Sequence, residues 1–80
     1  MKHARPDYNR FQDPENKIPD DEPVFLIRGQ DAIGWAAVEA YANLSEAANC
    51  DPSLTIAARH HAKEMKDWAD RYGKSPDLPK

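Results

Sequence analysis

The sequence has little of several features on which small proteins often depend. It has one cysteine, Cys50, and three glycines among 80 residues, so no disulfide can form within the chain. A single cysteine fits a reducing compartment. No apolar run approaches the length that spans a bilayer, and the first residues lack the apolar segment of a secretion signal. We therefore expect a soluble cytoplasmic protein with no membrane partner.

A strong excess of charge of one sign is also lacking. The chain carries 11 basic and 14 acidic residues, which gives a formal net charge of −3, and the two signs are mixed along it. General nucleic-acid binding needs a basic face that displaces counterions from phosphates. The composition therefore argues against that function, and it is too weakly acidic to favour a mimic of DNA.

Proline and charge dominate both ends of the chain, and this pattern sets the predicted domain boundaries. Residues 1–22 are predicted to form an extended or flexible arm and residues 74–80 a flexible tail, because such segments bury little apolar surface. Residues 23–73 then form a single β-α-α domain. About fifty residues without a disulfide or metal are marginal as a monomer, so we expect a homodimer or a higher oligomer.

One apolar run, "PVFLIR" at residues 23–28, predicts a short β-strand. It is rich in β-branched and aromatic residues and is bounded by Pro23 and Gly29. No second strand is visible in the sequence, and a lone strand leaves backbone groups unpaired on both edges. Its expected partner is the same strand in another copy, or a strand of a target protein.

The alanine-rich run after Asp31 predicts a first helix. Asp31 suits an N-cap, Asn49 and Cys50 suit the end, and Gly34 either weakens the first turn or lets a neighbouring backbone approach closely. Spacings of three and four define one apolar stripe, formed by Ile33, Ala37, Ala40 or Tyr41, Leu44 and Ala47 or Ala48. Small residues are expected to let the second helix approach closely: Ala36, Ala37, Ala40, Ala47 and Ala48.

A second helix is the clearest element of the sequence. Asp51 is a good N-cap, Pro52 a good first helical residue and Gly73 a good C′ residue. Its predicted apolar stripe consists of Leu54, Ala57 or Ala58, His61, Met65, Trp68 and Tyr72. The short connection requires an antiparallel helical hairpin. The fold class is therefore mainly α: one short strand, then an αα-hairpin, with an extended N-terminal arm, in an oligomer.

The residues that could carry out catalysis or bind a metal are sparse. His60 and Glu64 lie four apart on the predicted helix, but a stable zinc site needs three or four ligands. Cys50 and the serines have no flanking nucleophile motif, and the glycines are too far apart to form a phosphate-binding loop. We expect no enzyme activity, no metal and no cofactor.

Arg28, Gln30 and Asp31 are the main candidates for binding a small ligand. The conservative interpretation of Arg28-Gly29-Gln30-Asp31 is a turn and cap between strand and helix. The functional interpretation is a cleft for a compact anionic ligand, doubled across a dimer axis and reached by side-chain donors and helix amides. Stacking surfaces could come from Tyr8, Phe11 and Trp35.

Basic residues of the second helix, Arg59, Lys63 and Lys66, form another candidate face. With acids interleaved between them they are typical of a solvated surface. The alternative is a docking face for an anionic ligand or an acidic partner, because a guanidinium binds such groups in a forked geometry. The predicted ligand-binding set is Arg28, Gln30, Asp31, Trp35, Arg59 and Lys63.

The segment "DEPVFLIRGQD", the alanine-rich helix, the "DP" helix start and the "HAKEMKDW" segment resemble small accessory proteins of tailed bacteriophages. The resemblance covers roughly residues 18–70. It implies a non-enzymatic product in the host cytoplasm that counters bacterial immunity. Two mechanisms are expected from it: sequestering a nucleotide signal of the cyclic type in an oligomer, or docking on a host defence or regulatory protein and inhibiting it.

Overall fold

The computed structural model describes residues 1–4 and 13–74 of the chain. Most of these residues belong to two helices that pack against each other as a hairpin, which confirms the mainly helical fold expected from the sequence. Within the described part of the chain, neither helix is long and apolar enough to cross a membrane. The elements in chain order are β1 (Lys2–His3), β2 (Pro23–Val24), α1 (Gly34–Ala47) and α2 (Pro52–Tyr72).

The hairpin turn follows from local signals that the sequence carries. Asn49 has φ 57°, its N–H donates to the Glu46 carbonyl at 3.0 Å, and the Cys50 N–H donates to the Ser45 carbonyl at 2.9 Å. This is a Schellman motif, in which a residue in the left-handed region ends the helix. The predicted Asp51 N-cap is confirmed, because its carboxylate accepts the Ser53 N–H at 2.9 Å.

Both predicted ends of α2 hold, with one difference in conformation. Pro52 is the first helical residue, as expected. Gly73 follows the helix with φ −60° and ψ 144°, an extended conformation rather than a left-handed one, and its N–H donates to the Ala69 carbonyl at 2.7 Å. The backbone is therefore extended directly after α2.

The start of α1 differs from the prediction that Asp31 caps it. The helix begins at Gly34, and its N-cap residue Ile33 makes no side-chain capping bond. Asp31 instead closes a turn before the helix: its Oδ1 accepts the Ile33 N–H at 2.9 Å and its carbonyl accepts the Gly34 N–H at 3.2 Å. Asp31 thus accepts a backbone N–H, as a cap would, but it lies three residues before the first helical residue.

The strand is shorter than predicted, and one of its edges pairs within the chain; pairing with another copy or with a target strand stays a prediction. β2 contains Pro23 and Val24 alone, whereas a strand over 23–28 was expected, and it pairs in parallel with β1. Residues 25–28 pair with no strand among the described residues, and Ile27 lies with its Cγ2 against Gly34 at the start of α1. β1 contains two residues, which are too few to show the alternation of apolar and polar residues that predicts a strand.

The packing face of the hairpin also differs from the predicted stripes, by one residue on each helix. Buried positions are Gly34, Ala42 and Ser45 on α1 and Thr55, Ala62 and Met65 on α2. Met65 was expected inside, but most residues of the predicted stripes and the five alanines expected at the contact are exposed. The helices instead approach through other small residues, and the Ser45 and Thr55 hydroxyls meet at 2.7 Å.

Part of the segment predicted to be an arm forms a turn around one of its own side chains. Asp13 accepts the Lys17 N–H at 3.2 Å and the Ile18 N–H at 2.9 Å through its two carboxylate oxygens. Together with β1, this turn gives defined structure to both ends of the 1–22 segment. Tyr8 and Phe11, which were expected to offer stacking surfaces, and most of the predicted 74–80 tail lie outside the described residues.

Candidate functional site

Residues 28–31, called here the RGQD turn, lie together between β2 and α1. The turn closes through the Asp31 N–H, which donates to the Arg28 carbonyl at 3.1 Å. It is held to the end of α2, because the Lys74 N–H donates to the Gln30 carbonyl at 2.6 Å and the Ala32 N–H donates to the Lys74 carbonyl at 2.8 Å. The backbone of Gln30 and the carboxylate of Asp31 are thus already used by the fold.

The two glycines near this turn mark close approaches of the chain. A Cβ added at Gly34 would lie 2.6 Å from Ile27 Cγ2 and 3.1 Å from the Arg28 carbonyl oxygen. Of the two readings of Gly34, close approach of a neighbouring backbone is therefore confirmed. Gly29 lies over Trp68, where an added Cβ would be 3.5 Å from the indole. The RGQD turn consequently flanks the C-terminal part of α2.

The basic residues of α2 lie on one side of the hairpin and are paired there with acids. Arg59 reaches across to α1, where its guanidinium contacts Glu39 at 3.1 Å, Asn43 at 2.8 Å and the carboxylate of Glu46. On the same side, the Lys66 ammonium lies 5.5 Å from the centre of the Trp35 ring. We call this surface the polar side of the hairpin.

Two further ion pairs continue along the polar side. Lys63 pairs with Asp67 at 3.1 Å and Lys66 with Asp70 at 3.2 Å, each one turn along α2. The structure therefore brings Arg59 together with Glu39 in the middle of α1 and Glu46 near its end, away from the RGQD turn that precedes the helix. The predicted ligand-binding residues fall into two separate groups, one at the RGQD turn and one on the polar side of the hairpin.

The contacts on the polar side reveal how the hairpin is oriented. Trp35, Glu46 and Lys66 each come one residue after a buried position of the packing face. Glu39 and Arg59 come one residue after Val38 and Ala58, which are half-buried. In an antiparallel helix pair, positions one residue after the contact positions point to the same side, and positions one residue before them point to the opposite side. The residues that precede the buried positions must therefore share the other side.

That other side is rich in large apolar residues, and we call it the apolar side. On α1 it contains the residues that precede the buried Ala42 and Ser45. On α2 it contains those that precede the buried Thr55 and the half-buried Ala69, with one more aromatic residue a turn later. These side chains are between 41% and 68% exposed. They are Tyr41, Leu44, Leu54, Trp68 and Tyr72.

Two aromatic residues of the apolar side contact each other: the ring centroids of Trp68 and Tyr72 lie 4.7 Å apart. His61 lies on the same side, because it precedes the buried Ala62. An acid, Glu64, also lies on this side, because it precedes the buried Met65. Its Oε1 lies 2.6 Å from Nε2 of His60, one turn earlier on the outer face of α2. This surface is the stripe that the sequence pattern identified and that we expected to be the core.

Other groups considered in the sequence are placed without forming a site. Cys50 is exposed at the hairpin turn and lines an open groove with Ile56 and Arg59. The described residues include no cluster of three or more His, Cys, Asp or Glu side chains that could hold a metal ion. His60 Nε2 and Glu64 Oε1 lie 2.6 Å apart on the surface of α2, one helical turn from each other.

Comparison with protein-family models, curated proteins and solved structures finds no match to this chain. Function must therefore be argued from the surfaces described above.

Proposed function

We propose that this chain is a non-enzymatic interaction protein, of the accessory type that the phage resemblance implies, and that it acts by binding a protein surface through its apolar side. One observation carries the proposal: five large apolar or aromatic side chains, among them Trp68 and Tyr72, are exposed on one side of the hairpin. Monomeric proteins rarely expose apolar patches of more than a few hundred Å² unless the patch binds something.

The residue types on this side support a protein partner. Tyr and Trp dominate the energetics of protein interfaces, because they bury a large area with few rotatable bonds. Three of the five residues that define the apolar side are aromatic: Tyr41, Trp68 and Tyr72. A two-helix surface of this kind fits the helix-in-groove mode, in which apolar anchors recur at helical spacing.

The ion pairs of the polar side also favour binding of a protein over sequestering a nucleotide. Arg59 is held by Glu39 and Glu46, and Lys63 is paired with Asp67. A phosphate group would have to displace these carboxylates before it could bind the cations. Nucleotide sequestration at Arg28, Gln30 and Asp31 stays a prediction, as does a role against host immunity.

Site-specific photocrosslinking in bacterial cells tests the proposal. A photoreactive phenylalanine analogue is placed at Leu44 on the apolar side, and in a matched control at Ile56; both side chains are 68% exposed, but Ile56 follows Thr55 and so lies towards the polar side. We expect a discrete crosslinked product from position 44 and little from position 56. Equal or absent crosslinking at the two positions would refute the proposal.

A further inference from the structure

We infer that the partner of the apolar side is a second copy of this chain, so that two hairpins form a two-fold symmetric four-helix dimer. This inference rests on the proposed function and names its partner. The sequence predicted a homodimer through the strand; the strand is paired within the chain, and the surface that needs cover is on the helices. Face-to-face packing of two hairpins is the arrangement of a four-helix bundle.

The small core of the hairpin is the first argument for a second copy. Among the described residues, the buried apolar ones are Ala42, Ala62 and Met65, and no large side chain is fully buried. Ordering each residue costs on the order of 1.5 kcal/mol of conformational entropy, which so few buried groups do not offset. A partner that covers the apolar side must be present whenever the chain is folded. A second copy of the chain is the partner that is always available.

The size of the apolar side is the second argument. Aromatic side chains contribute about 150–250 Å² each, so the exposed halves of Tyr41, Trp68 and Tyr72 amount to roughly 300 Å² on this scale. Leu44 and Leu54 extend the surface further. Because an isologous contact buries the same patch on both copies, the total is on the order of 1,000 Å², near the lower limit for a specific interface.

Charge is the third argument, because it bears on self-association in particular. Each copy has a formal net charge of −3, so two copies repel each other wherever their acids meet. The acids Glu39 and Glu46 lie on the polar side, and Glu64 is turned towards His60. Contact through the apolar side therefore brings two like-charged chains together with Glu39 and Glu46 of each copy outside the contact.

Sedimentation equilibrium on the purified full-length chain tests the inference. The chain has a mass of 9.1 kDa, and we expect the wild type to sediment with twice that mass at micromolar concentrations. Leu44→Lys should sediment as a monomer, because it places a charge on the apolar side of each copy. Ile56→Lys makes the same chemical change at an equally exposed position on the other side and should leave the dimer intact.

A second measurement covers the case in which Leu44→Lys does not fold. Folding coupled to dimerisation makes the melting temperature of the wild type rise with protein concentration, which circular dichroism measures without any variant. A monomeric wild type whose melting temperature is independent of concentration overturns the inference. So does an equal loss of dimer in Leu44→Lys and Ile56→Lys.

The inference and the proposed function can fail separately. A crosslinked product at position 44 with twice the mass of the chain supports both. A product of another mass, together with a monomeric purified protein, keeps the proposed function and overturns the second copy as partner. A wild-type dimer that Leu44→Lys leaves intact, with no crosslinking preference for position 44, overturns both.

Discussion

Ser45 and Thr55 face each other across the hairpin with their hydroxyl oxygens 2.7 Å apart, and both residues are buried. The Ser45 hydroxyl also donates to the Ala42 carbonyl at 2.8 Å, so it can accept the hydrogen of Thr55. The pair lets the helices come close next to the turn while each hydroxyl keeps a partner. A buried hydroxyl without one would cost more than the pair contributes.

Removing one hydroxyl of this pair should destabilise the hairpin more than removing both. Ser45→Ala leaves the Thr55 hydroxyl buried without its acceptor, at a cost of about 1–3 kcal/mol. Adding Thr55→Val removes the orphaned group and keeps the shape, so the double variant should recover part of the loss. Urea unfolding of the wild type, both single variants and the double variant gives the coupling. Strictly additive losses would show that the contact contributes nothing.

Gly34→Ala should destabilise the protein, although alanine is the better helix former by about 1 kcal/mol. The added methyl group would lie 2.6 Å from Ile27 Cγ2 and 3.1 Å from the Arg28 carbonyl oxygen, and forced overpacking of this kind costs about 1–3 kcal/mol. Gly29→Ala is the matched control, since its methyl group meets Trp68 at 3.5 Å, an ordinary contact distance. Thermal unfolding should rank Gly34→Ala below Gly29→Ala, and the reverse order would contradict the close approach.

The Asp51 cap should make stability depend on pH in the acid range. Hydrogen bonds from the Ser53 hydroxyl and then its N–H lower the pKa of Asp51 below its usual value of 3.8. A carboxyl whose pKa is lowered by folding stabilises the native state above its unfolded pKa, and that contribution is lost as pH falls through the folded pKa. Asp51→Ala should therefore lower the melting temperature at pH 7, and the difference from wild type should shrink below about pH 4. A difference that stays constant down to pH 2 would exclude the charged cap as its cause.

The sequence predicted those parts of the fold that depend on neighbouring residues. Asp51, Pro52 and Asn49 act within one turn of the chain, so the start of α2 and the hairpin turn could be inferred from residue types alone. Which face of each helix points towards the other helix could not be inferred correctly, because the stripe of large apolar residues was assumed to be the core. A second pattern at helical spacing, the small residues of which Ala42 and Ala62 are the most buried, was present but carries a weaker hydrophobic signal.

The candidate site shows the same division between local and long-range information. Arg28, Gln30 and Asp31 were expected to lie together at a turn, and they do, since four consecutive residues leave little choice. The pairing of Arg59 with Glu39 and Glu46 joins residues 20 and 13 positions apart and depends on the register of the two helices. Residue spacing within one helix does not predict how the two helices are aligned along each other.

Nucleotides provide the test that separates the two functions implied by the sequence. In a thermal-shift panel of cyclic di- and trinucleotides and ADP-ribose derivatives, we expect no rise in melting temperature, because the cations Arg59 and Lys63 are already bound to carboxylates. A ligand present at a hundred times its Kd would stabilise the native state by about 2.7 kcal/mol, which such a panel detects readily. Stabilisation by one nucleotide that disappears in Arg28→Ala, but persists in Lys63→Ala, would instead assign binding to the RGQD turn. It would restore nucleotide sequestration as the function, because Lys63 lies on the polar side in the other group of candidate residues.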